Sequence, residues 1–190
     1  IALRDRMRPL LAVFILIVEI LTLSSLIATE IEQGTARALL VTPLRTSELF
    51  IAKGLLGVGL ALGQSIIFMA IVGGLSQQPL IILSTLLIGS VMVVGLGFLL
   101  ASLARDVTAV TGWGLLVLII LAVPGFGTAI PGLISNWARV IPSYYLTDTV
   151  SRVANYGAGW NDIWVNLAIL AAFTAVVIVA GMAALRRRYQ

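Results

Sequence analysis

The chain contains neither cysteine nor histidine. Disulfides, thiolate nucleophiles, haem axial histidines, the usual zinc sites and Ser-His-Asp triads are therefore excluded. Without cysteine the redox compartment cannot be read. Charge is scarce too: 12 Lys and Arg with 8 Asp and Glu make up 11% of 190 residues, where a soluble domain devotes about 25%. A soluble fold of this size leaves about 30% of its unfolded surface in water and needs polar residues to cover it. Here 60% of the residues are hydrophobic and the mean hydropathy is +1.10. The chain belongs in lipid. Its net charge of +4 and pI near 10.1 resemble a nucleic-acid signal. The few basic residues sit between apolar blocks, however, so membrane topology accounts for them better and no nucleic acid is implied.

A spanning helix needs about 20 apolar residues to cross about 30 Å of hydrocarbon. Five stretches qualify, at about 10–28, 54–75, 80–103, 109–130 and 163–185. They are far longer than barrel strands and lack alternation. The expected fold is an all-α polytopic bundle forming a single domain over 1–190, with a polar loop at 29–53 and short helices within 131–160. No repeat or separate soluble domain interrupts it.

Alternate connections distribute the basic residues unevenly. Arg37, Arg45, Lys53, Arg105 and Arg186-Arg187-Arg188 fall on one side, which is the expected cytoplasmic face. Arg139 and Arg152 fall on the other, together with Arg4, Arg6 and Arg8. Three arginines at an outer N-terminus violate the rule, and residue 1 is Ile. An earlier span preceding this chain would explain both. No signal peptide is recognisable, because Glu19 interrupts the first run and a charged loop follows it.

The most specific stretch runs from Glu30-Ile31-Glu32-Gln33-Gly34-Thr35 through Arg37, Leu39-Leu40 and Thr42-Pro43. Gly34 suits the positive φ that ends a helix, and Thr35 suits the N-cap of a new one. The residue before Pro43 is discouraged from helix. Thr46 or Ser47 then caps a further segment with Glu48 in its first turn. The pattern describes a short amphipathic helix on the membrane surface between two spans, which taken alone is an ordinary connector.

This Glu30-x-Glu32-x-Gly34-Thr35 stretch, followed by Leu39-Leu40, Thr42-Pro43-Leu44, Glu48 and Lys53, resembles the signature of type-2 ABC transporter permeases. In that family such a stretch follows the second span. The resemblance extends to the C-terminus, through a Gly-rich pair of spans, a charged turn, Pro-containing outer helices and a last span ending in basic residues. It implies a coupling helix that docks on a separate ATP-binding subunit, with Glu30, Glu32, Gly34, Thr35, Arg37, Leu39, Leu40 and Pro43 at or beside the contact. It further implies a second permease subunit, as homodimer or heterodimer, and a bacterial or archaeal plasma membrane with the C-terminus inside. Six spans are usual for the family.

Polar groups within the runs are site candidates. Glu19, near the middle of the first, costs about 3 kcal/mol if ionised there. It should face the bundle interior, be protonated or meet a donor such as Gln64, Ser65 or the Thr22, Ser24 and Ser25 cluster. Either a translocation path or an interhelical tie fits Glu19 and Gln64. Gly59-x-x-x-Gly63 and Gly95-x-Gly97 permit close helix approach, within one subunit or across a dimer seam. Between the fourth and fifth runs, Pro131 and Pro142 break the chain into predicted short helices at 134–141 and 144–154. Trp137, Arg139, Pro142, Tyr144 and Tyr145 there are candidates for an outer gate, or for a simple aromatic belt. Asp148 and Arg152, spaced i,i+4, are placed to pair.

No Gly-x-x-x-x-Gly-Lys-[Ser/Thr] phosphate cradle occurs in the chain. The expectation is thus a transport subunit of an ATP-driven transporter, an exporter by resemblance, that is not itself an enzyme. It binds no cofactor of its own; ATP and Mg belong to a partner subunit. A secondary transporter or channel would favour matched, broken spans near midplane. Only Pro124 interrupts a span, near its end.

Overall fold

The computed structural model describes residues 3–33, 46–104, 106–129 and 136–188. Within them all regular structure is helical. In chain order the elements are α1 (Leu3–Glu32), α2 (Thr46–Ile71), α3 (Pro79–Leu103), α4 (Val107–Ala129), a 3-10 turn (Asn136–Val140), α5 (Pro142–Tyr156) and α6 (Trp160–Arg188). Five of these, all but the turn and α5, are long and apolar enough to cross a membrane. At 1.5 Å per residue the 25 residues of α3 reach about 38 Å, whereas the 15 of α5 reach about 22 Å.

The helices extend past the starts of the apolar runs that announce them, although α2 ends at Ile71, short of the expected 75. α1 begins at Leu3, so its first two turns carry Arg4, Arg6 and Arg8; α2 begins at Thr46, where the expected segment with Glu48 in its first turn leads directly into the span. Apolarity marks the part in hydrocarbon, while backbone hydrogen bonding continues past it into residues with adequate helix propensity. The short segments differ as well. A five-residue 3-10 turn replaces the first predicted helix, and α5 starts at Pro142. Proline fits there because the first helical N–H has no intrahelical acceptor to lose. Gly157, at φ 66°, closes α5 in the left-handed conformation that only glycine adopts without strain.

α3 is the central helix, buried along Ile81, Leu86, Met92, Val93 and Phe98. α1 packs beside it through Leu16, Ile17 and Ile20. The most extensive interface joins α3 to α6. Its centre is a glycine crossing: a Cβ on Gly95 would lie 2.9 Å from the Ile178 Cα, and one on Gly181 only 2.5 Å from the Gly95 carbonyl oxygen. Backbones this close exclude side chains and gain dispersion contact, which is what holds helices together in lipid. α2 and α4 lie at the edges and turn Leu55, Leu56 and Ile67, or Trp113, Leu116 and Ile119, outward. In water such faces would be liabilities; against acyl chains they are the expected surface.

The up-and-down course puts the C-terminal ends of α1, α3 and α6 at the same end as the starts of α2 and α4. At the opposite end α5 is wedged among α1, α3, α4 and α6.

Candidate coupling site

At the shared end of α1, α2 and α4, two carboxylates leave the last turn of α1 in different directions. Glu30 forms an ion pair with Lys53, which sits two turns into α2. The two side chains are 31% and 14% exposed, so the pair is partly shielded from solvent screening. Glu32 accepts a hydrogen bond from the Val107 backbone N–H at 2.9 Å. That N–H is the first of α4, whose initial turn has no intrahelical acceptors and carries partial positive charge. Asp106 completes the cap, accepting from the Ala109 N–H at 2.6 Å. One turn of α1 thus holds the starts of two other helices.

Below this polar layer lies a small apolar cluster of Leu23, Ile27, Phe50, Val94, Phe98, Ala101 and Leu185. Phe50, from the first turns of α2, meets Phe98 edge to face with ring centroids 6.2 Å apart. Ser24 donates to the Gly97 carbonyl at 3.1 Å, pinning α1 to α3 at the same level. The ends of α1 and α2 therefore rest on a packed floor.

Of the residues expected at the coupling contact, Glu30 and Glu32 are placed by the structure, and both face neighbouring helices of their own chain. Gly34, Thr35, Arg37, Leu39, Leu40 and Pro43 lie outside the described residues. The Lys53 and Val107 partners were not anticipated. Lys53 stands out in the sequence by its charge and its place in the family-like pattern, neither of which pairs it with Glu30, and a backbone N–H has no signature in sequence.

The intramembrane candidates separate. Glu19 is buried at 5% exposure, yet it meets none of the expected donors among the described residues: Gln64 is exposed on α2, and Ser24 is committed to Ile20 and Gly97 carbonyls. The two glycine pairs separate too. Gly95 is at the α3–α6 crossing, whereas Cβ atoms on Gly59 or Gly63 would find nothing within 4 Å.

At the far end, Pro142 is buried, Arg139 is exposed, and Tyr144 and Tyr145 stack edge to face at 5.4 Å. The Trp137 side chain is outside the described set. Asp148 accepts from Arg152 at 2.9 Å and from the Asn166 side chain of α6 at 2.8 Å, an interhelical tie the sequence did not announce. Ser143 donates to the Leu121 carbonyl at 2.7 Å, close to the point where Pro124 removes a donor from α4.

Five membrane-length helices, four of them arranged around a buried α3, with a short polar helix inserted at one end, define a polytopic integral membrane protein. The chain belongs to the ABC-2 family of transporter proteins, whose family model matches residues 7–183. It is 28% identical over 190 residues to the probable multidrug ABC transporter permease YbhR of Escherichia coli K12, covering 95% of this chain and 52% of that protein. The counterpart in Escherichia coli O157:H7 matches with the same figures. The chain thus spans about half the length of the curated relatives it matches. No solved structure matches it.

Proposed function

We propose that the chain supplies the transmembrane core of an exporter's permease subunit, driven by ATP hydrolysis in a separate ATP-binding subunit. The observation that carries this reading is the pair of carboxylates in the family-like Glu30-x-Glu32 stretch, which tie the end of α1 to α2 and α4 at once. A partner pressing on residues 34–45 would move the end of α1. The Glu30–Lys53 pair and the Glu32–Val107 hydrogen bond would carry that displacement into two more helices. A connector that merely joined α1 to α2 would not need the link to α4.

On this reading the basic end of the bundle faces the cytoplasm of a bacterial or archaeal cell. ATP and Mg are held by the partner, and two permease subunits work as a pair. The relatives are named as multidrug permeases, so small-molecule drugs are the first cargo to assay.

Co-purification of the full-length protein with its ATP-binding subunit tests the proposal. The unaltered protein should retain that subunit, and Glu32→Ala combined with Gly34→Pro should release it. Failure of any ATP-binding subunit to co-purify with the unaltered protein would remove the coupling assignment.

A further inference from the structure

We propose that the crevice between α2 and α6 at the arginine-rich end is a binding site for an anionic phospholipid. The inference rests on the cytoplasmic placement of that end, as argued above. α2 and α6 each pack against α3 but barely against each other. The gap they leave, about 290 Å³, is lined by Phe50, Ile51, Met182, Ala183 and Arg186. Four of these five present only apolar atoms from the side chain, and the fifth is a guanidinium.

The shape and the charge name the same occupant. The apolar wall lies within spans, where the available molecules are acyl chains. Arg186 lies one helical turn beyond Met182 toward the membrane surface and makes no ion pair with any described residue. Arg187 follows it, also exposed. Glu48, the acidic residue at this end of α2, is engaged in a contact of its own. A molecule with a hydrocarbon tail and a phosphate about one helical turn above it satisfies both halves of the site. Guanidinium binds phosphate oxygens through paired N–H donors. The cytoplasmic leaflet supplies anionic lipids, and basic pockets between helices on that side are suited to their headgroups. A zwitterionic lipid would fill the apolar part but would leave the excess positive charge unbalanced.

The location gives the lipid a consequence. Phe50 both lines the crevice and packs on Phe98 in the floor beneath Glu30 and Lys53. A bound acyl chain would brace the start of α2, the helix that Lys53 links to the coupling segment.

The test uses the full-length protein in nanodiscs of phosphatidylcholine containing a minor share of phosphatidylglycerol. The photo-crosslinker p-benzoylphenylalanine replaces Ala183, and the adducts are weighed by mass spectrometry. Phosphatidylglycerol adducts should exceed its bulk share several-fold. Arg186→Gln should return them to that share, and Met182→Trp, which fills the crevice, should suppress all lipid adducts. Adducts in proportion to bulk lipid would overturn the proposal, as would adducts to a protein segment or enrichment unaffected by Arg186→Gln. Arg187→Cys, in a background otherwise free of cysteine, reports separately on the topology. If it is labelled only from outside the cell, the cytoplasmic reading has failed and not merely the lipid site.

Discussion

The Glu32 carboxylate and the Val107 backbone N–H, 75 residues apart in sequence, are joined by a 2.9 Å hydrogen bond. A helix start is thereby capped by a residue from a different helix. Glu32→Ala should destabilise the fold by about 1 kcal/mol, the usual loss for a removed cap. Glu32→Gln should retain much of the hydrogen bond while losing the charge–dipole attraction. Thermal unfolding in detergent checks both. Hydrogen exchange should show the loss confined to the first turn of α4.

Glu30 and Lys53 should behave as a unit. Removing one partner leaves the other partly buried and uncompensated, so the Glu30→Gln, Lys53→Met double replacement should cost less than the sum of the two single ones. A double-mutant cycle should return a coupling of about 0.5–3 kcal/mol. Additive single effects would mean that the pair contributes no stability.

The glycine crossing of α3 with α6 and the Gly59-x-x-x-Gly63 face predict opposite results. Gly181→Val places a branched side chain against the Gly95 carbonyl, and should cost about 1–3 kcal/mol or prevent assembly of α6 on α3. Gly63→Val meets open space and should leave the thermal stability of the isolated chain unchanged. If Gly63→Val nonetheless changes the mass of the purified particle by light scattering, that face contacts another chain.

Glu19 is a polar side chain buried without a described partner, so its replacement should not weaken the bundle. Glu19→Leu should raise stability, because a carboxyl group within an apolar span is costly to keep there. A fall in melting temperature would show that the carboxyl group is engaged by something outside this chain.

The division between what sequence reveals and what it conceals follows from the solvent. Hydrocarbon demands long apolar helices, so the five spans could be read from residue type alone. The same demand erases the orientation of each helix. α2, α3 and α4 are apolar on every side, and nothing in a run of Leu, Ile and Gly says which face meets protein and which meets lipid. Hence Gln64 could be listed as a donor for Glu19 although it points outward. The carboxylates of Glu30 and Glu32 were conspicuous because charge is rare here. Their partners were not, since Lys53 and Val107 come near only when α2 and α4 are packed against α1. Glu48, which stands at a helix start where acids belong, is readable locally, whereas Asp106 reads only as part of a charged turn until α4 is seen to start at Val107.

The position of α5 sets an order for biogenesis. Its Ser143, Thr147 and Thr149 are buried among α1, α3, α4 and α6, although the segment is too short and too polar to be stable alone in lipid. During synthesis α1, α3 and α4 emerge before it, but α6 emerges after. Until α6 inserts, Asp148 lacks Asn166 and one wall of the α5 socket is open. The wedge must therefore wait at the membrane surface, and its docking is a late event that reports the arrival of α6. A ribosome-tethered chain ending before Trp160 should expose α5 to protease, and one extended through Arg188 should protect it.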